Sequence, residues 1–164
     1  MKLTAATSAK FRKESAQNGE RLPSPEGDTN GAVSSLSVHV DAAGPSKSWK
    51  LKRVRQCKKC PWKASTNPHD IPDGYCETRH RRLSATIADP GEYKPGSPLV
   101  AMACHEHPVG DEAHCIGWLV HQLGPGNNIA LRLAMLNCEN VYAIQTDGPQ
   151  HQSFEDTFPK PTEP

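Results

Sequence analysis

Cysteines decide most of what this chain can become. Cys57-Lys-Lys-Cys60-Pro61-Trp62 sets two thiols across the two-residue spacer of a metal-binding knuckle, and Cys104-His105 and Cys115-Ile-Gly-Trp118 supply two more. Six cysteines would also allow three disulfides in a secreted protein. Met1-Lys2-Leu3-Thr4, however, leads into polar residues and not into the apolar core of a secretory signal. The expectation is a cytoplasmic, reducing setting in which the thiols bind a metal. No apolar run is long enough to predict a membrane span.

With 164 residues, 35% of them apolar, the chain has material for one modest packed unit plus polar extensions. Residues 1–46 are mainly Ala, Ser, Gly, Asn, Pro and scattered charges without helical or alternating period, and 146–164 are rich in Pro, Gln, Asp, Glu and Thr. Neither stretch offers enough apolar surface to offset the entropy of ordering. The expected organisation is a disordered N-terminal tail over 1–46, a cysteine-rich metal-binding domain over 47–145 and a disordered C-terminal tail over 146–164.

Between the tails, the punctuation of the chain predicts short elements. Trp49, Leu51 and Val54 suit a strand over 48–55, and 68–74 reads as loop. Cys76, His80, Leu83 and Ile87 recur on one face of a helix expected over 75–88. Prolines between 90 and 98 break the chain before a short buried strand, 99–104. The next helix is expected from Asp111 or Glu112 to Leu123, where Gly124-Pro125-Gly126 stops it. Asn127 or Asn128 then caps a helix to about Cys138, whose Ile129, Leu131, Leu133, Met135 and Leu136 cover nearly its whole circumference and predict deep burial. Residues 141–144 add a strand. The fold class expected is a small α+β, mainly helical, metal-stabilised domain.

Two ligand sets are compatible with the spacing. Cys57, Cys60, Cys104 and Cys115 would join a knuckle, a strand end and a helix. Alternatively, Cys57, Cys60, Cys76 and His80 follow a C-x2-C-x15-C-x3-H order, the last two on neighbouring turns of one helix. Their shared face with Leu83 and Ile87 equally suits Cys76 and His80 as core residues. His105, beside Cys104, is a reserve ligand. His105-Glu106-His107 lacks the H-E-x-x-H spacing of a helical zinc protease site. His121 would stand about 120° from Cys115 around a helix, so His114 and His121 read as polar surface or as groups that orient a ligand.

Charge divides the chain. Residues 47–82 carry a net +8 and residues 83–164 a net −7. The basic block, Lys47, Lys50, Lys52, Arg53, Arg55, Lys58, Lys59, Lys63, Arg79, Arg81 and Arg82, surrounds the first thiol pair. All but Lys47 are candidate nucleic-acid contacts, with Trp49 and Trp62 as stacking platforms; the competing reading is a solvated face balanced by the acidic half.

The series Cys57-x2-Cys60-Pro61-Trp62, Cys104-His105 and Cys115-x-Gly117-Trp118 resembles an uncharacterised cysteine-rich family of bacteriophages and bacterial genomes, with C-x2-C-P-[WY], C-H and C-x-G-W in that order. The likeness covers residues 55–121. It implies Cys57, Cys60, Cys104 and Cys115 as the metal ligands and has no counterpart for Cys76 and His80. It assigns no activity.

Four thiolates suit zinc, and also iron or an iron–sulfur cluster. A closed four-thiolate zinc site keeps no open position for water and is structural. The chain carries no phosphate loop, dinucleotide glycine fingerprint or nucleophile elbow; Gly124–Asn128 reads as a helix stop and cap rather than an anion site. The leading expectation is a non-enzymatic zinc adaptor or regulator of phage or prophage type, contacting nucleic acid or an acidic protein. The alternative is an iron–sulfur or thiol redox protein, its thiols activated by Lys58, Lys59 and Lys63, although no β-α-β pattern frames the pair.

Overall fold

Pro- and Gly-interrupted sequence with only brief apolar runs yields brief elements, and side-chain and loop hydrogen bonds join them. A computed structural model describes residues 35–38, 47–71 and 74–160. Those residues belong to one unit, Gly31–Pro164, of mixed α and β structure. Strand β1 (Ser35–Val38) pairs antiparallel with β2 (Leu99–Met102), Leu36 opposite Ala101. Helices α1 (Glu77–Arg82), α2 (Ile116–Leu123) and α3 (Ile129–Met135) follow in order, with β2 between α1 and α2. No helix among the described residues is long and apolar enough to cross a membrane.

Several elements differ from expectation, each for a local reason. The predicted strand over 48–55 forms no continuous ladder; its backbone pairs with its partner through isolated parallel bridges, Trp49 with Cys138 and Arg55 with Gln145. Between them the partner chain turns away in a 3-10 turn, Val141–Ala143, where a strand was expected. Asn140 fills the gap: its Oδ1 accepts from Leu51 N–H at 2.8 Å and its Nδ2 donates to Leu51 O at 2.9 Å. The helix predicted over 75–88 stops at Arg82 and tightens into a 3-10 turn, Leu83–Thr86. There Thr86 Oγ1 donates to Leu83 O at 2.7 Å, while the Trp118 indole N–H takes the Thr86 carbonyl at 3.0 Å.

Helix α2 starts at Ile116, later than expected, because residues 113–115 are held extended against 102–104. Asn128 caps α3 as anticipated, its Oδ1 accepting from Leu131 N–H at 3.0 Å. The loop before it is built on fully buried Gln122, whose Oε1 accepts from Ala88 N–H and Asn128 Nδ2 at 3.1 and 3.2 Å. Helix α3 is less buried than its composition suggested. Leu131, Ala134 and Met135 enter the core, whereas Leu133 and Leu136 are exposed.

The tail boundaries also need correction. β1 lies inside the stretch expected to be tail, although the other residues of 1–46 lie outside those described. At the other end, residues 146–160 pack against the knuckle: Ala64 N–H donates to Pro149 O at 3.0 Å and His151 N–H to Trp62 O at 2.9 Å. Phe154 and Thr157 are buried there. Composition misled because the apolar surface they cover belongs to distant segments. His80 stacks on Phe154 at 5.4 Å and meets Phe158 edge-on at 4.5 Å.

Candidate metal centre

Three separate pieces of chain bring the four thiols together. In the knuckle, Cys60 N–H donates to Cys57 O at 3.3 Å and Lys63 N–H to Cys60 O at 3.0 Å, so the chain doubles back. Beyond β2, Ala103 bridges His114 antiparallel; Cys104 N–H donates to Ala113 O at 2.7 Å and Cys115 N–H to Met102 O at 2.8 Å. Alternation along a strand then sends Cys104 and Cys115 to the same face, diagonally across the bridge.

All four sulfurs are buried. Cys60 Sγ and Cys115 Sγ are 3.7 Å apart. The thiols of Cys104 and Cys60 in turn act on that of Cys57. A tetrahedral cation with bonds near 2.3 Å holds its sulfurs about 3.8 Å apart, so the Cys60–Cys115 spacing fits one.

Charge in the group is unevenly divided. Hydrogen bonds from Cys115 and Cys57 push the Cys60 thiol well below its ordinary range, and the Cys57 bond does the same for Cys104. Cys57 is pushed up by its bond to Cys104, and Cys115 by its bond to Cys60, with burial adding to both. Backbone N–H groups reinforce the thiolate character: Trp62 donates to Cys60 Sγ, Glu106 to Cys104 Sγ and Trp118 to Cys115 Sγ. Hydrogen bonds to a charged form favour that form.

The surroundings complete the pocket. Arg53 directs its guanidinium to Cys104 Sγ at 3.7 Å and Glu106 Oε2 at 2.6 Å. Gln56 hydrogen-bonds Cys60, and its amide is tied to Gln150 Oε1 at 2.6 Å and Asp147 N–H at 3.0 Å. Neither role was visible in the sequence; Arg53 looked like one more basic residue and Gln56 carried no signal. Gly117 packs its bare Cα against the cluster, because a Cβ there would stand 2.8 Å from Cys60 Sγ.

The other candidates have different surroundings. Cys76 is exposed at the start of α1, not buried on a helix face as expected. His80 Nε2 is 2.8 Å from Thr157 Oγ1. Since that hydroxyl gives its only proton to Phe154 O at 2.6 Å, the imidazole must be the donor. His121 Nε2 pairs with Gln152 O at 2.8 Å over the Trp62 ring, and His114 lies against Trp49. Cys138 contacts Asn140. His105 does approach the centre: donor atoms of Cys57, His105 and Glu106 lie within 4.8 Å of one another.

The basic block is largely spent on internal pairs. Lys50 meets Glu139, Lys52 meets Asp111, Arg53 meets Glu106 and Lys63 meets Asp147, each joining the basic to the acidic half. Lys59 and Arg81 pair with Asp70 and Glu77. Arg55, Lys58, Arg79 and Arg82 have no ion-pair partner among the described residues. Trp62 is fully buried, so it has no face to offer a base.

The fold and site together describe a small mixed α/β unit in whose core Cys57, Cys60, Cys104 and Cys115 are buried, with Cys60 and Cys115 in contact. In comparisons with known proteins, no family model, curated sequence or solved structure matches the chain.

Proposed function

We propose that Cys57, Cys60, Cys104 and Cys115 hold one zinc ion in a closed, structural site, and that the protein is a non-enzymatic adaptor or regulator of phage or prophage type. The observation that carries the metal reading is the 3.7 Å approach of Cys60 and Cys115 within a buried thiol group. Zinc would displace the protons the thiols hold and link the knuckle, the strand end and the start of α2. In simple zinc modules such binding supplies on the order of 10 kcal/mol of folding free energy.

The surface for a nucleic acid or acidic protein is narrower than the charge count implied, resting on Arg55, Lys58, Arg79 and Arg82. Metal content and absorption of untagged protein test the first part: one zinc without visible colour supports it, and iron with sulfide absorption replaces it with the redox reading. Neutralising those four cations tests the second. Affinity for a nucleic acid should fall and its salt slope flatten, and unchanged binding removes the proposal.

A further inference from the structure

Cys57 belongs to two donor groups at once. Inward, its thiol is acted on by those of Cys60 and Cys104; outward, its sulfur shares a space within 4.8 Å with donor atoms of His105 and Glu106. Exposure rises along that second group, from buried Cys57 through half-buried His105 to exposed Glu106. The remaining thiols, Cys60, Cys104 and Cys115, are buried. Glu106 Oε2 is held by Arg53 at 2.6 Å, and a carboxylate has a second oxygen with which to meet a cation.

We propose that Cys57, His105 and Glu106 form a rim station through which the cation enters and leaves the four-thiolate site, with Cys57 common to both coordination sets. The inference rests on the zinc reading above. A hydrated ion cannot lose its waters for four buried sulfurs in one step. At the rim it exchanges water for carboxylate and imidazole, both good zinc ligands, while gaining Cys57. It then trades His105 and Glu106 for the three inner sulfurs without releasing Cys57. The turn that aims Cys104 inward, with Glu106 N–H on its sulfur, carries both rim groups. Release follows the same path in reverse, so the station sets the rate of exchange and leaves the equilibrium untouched.

The test uses the full chain, reduced and metal-free, loaded with zinc alone in a stopped-flow instrument and then stripped by excess chromogenic chelator. The variant is His105→Ala with Glu106→Gln. Glu106→Gln alone, which leaves His105 and an oxygen for Arg53, serves should the double variant not fold; Glu112→Gln is the control. Loading and extraction should both slow by about tenfold, as for about 1.4 kcal/mol added to the barrier, with the dissociation constant unchanged. Unaltered rates overturn the proposal. Weaker binding with faster extraction also overturns it, by making His105 or Glu106 a resident ligand. If the unmodified chain binds no zinc, the underlying metal reading fails instead, and no difference between variants can arise.

Discussion

Gly117 and Trp62 touch so closely that a Cβ on Gly117 would lie 2.4 Å from Cβ of Trp62. That contact, with Cys60 Sγ and Gln56 Nε2 on the same spot, explains why glycine stands two residues after Cys115. Gly117→Ala should destabilise the protein by about 1–3 kcal/mol or more, as overpacking of a tight core does. Zinc affinity should fall with it, because the displaced atoms include a proposed ligand. Urea denaturation with and without zinc measures both, and an alanine variant of native stability would refute the packing account.

Serine substitutions separate the cysteines into two groups. Replacing Cys57, Cys60, Cys104 or Cys115 should abolish stoichiometric zinc binding, whereas Cys76→Ser should leave one equivalent bound. Cys138→Ser, at a buried sulfur beside Asn140, should lower stability but keep the metal. Loss of the metal from the Cys76 variant would restore the C-x2-C-x15-C-x3-H ligand set.

Phe154 anchors the C-terminal segment against His80 and Trp62, with ring centres 5.4 and 6.3 Å away. Phe154→Ala should cost about 3 kcal/mol, the range for deleting a buried aromatic ring. A chain ending at residue 145 should lose cooperative unfolding. If truncation leaves the denaturation curve unchanged, the packing of 146–160 contributes nothing.

Stability should fall on acidification below neutrality. Burial lowers the pKa of His80, His114 and His151 from 6.5, so each folded imidazole resists the proton that the unfolded chain accepts. Between the two values the unfolded state binds more protons, and stability therefore rises with pH. The contribution is complete above about pH 6.5, shrinks below it, and levels off once the folded rings protonate. The urea midpoint should be lower at about pH 5.5 than at about pH 7.5, and the His80 ring signals should titrate below the ordinary range. An equal or higher midpoint at the acidic pH contradicts this.

The sequence exposed some of these features and hid others for identifiable reasons. A helix cap at Asn127 or Asn128 was readable because capping is local, and Asn128 fills it; the turn from Cys57 to Cys60 was readable because it is short-range. Helix α2 was drawn too long because Cys115 N–H is claimed by Met102 O, a partner from a distant segment. The Pro- and Gln-rich stretch after residue 145 looked unable to fold, since its aromatic residues bury themselves against His80 and Trp62 rather than one another alone. The basic block seemed a free surface because no local pattern announces that Lys50, Lys52, Arg53 and Lys63 have carboxylates waiting in the second half. His80, read from sequence as a core residue with a ligand role as the alternative, has its Nε2 proton directed to Thr157.

The wide separation of the thiols along the chain gives biosynthesis a fixed order. Cys60 and Cys115 are 55 residues apart, so at ordinary elongation rates the second leaves the ribosome roughly 3 to 11 s after the first. During that interval the nascent chain displays a bare Cys57–Cys60 pair, without the Cys115 thiol that later lies against Cys60. The segment carrying Phe154 emerges later still, and only then can the knuckle be covered.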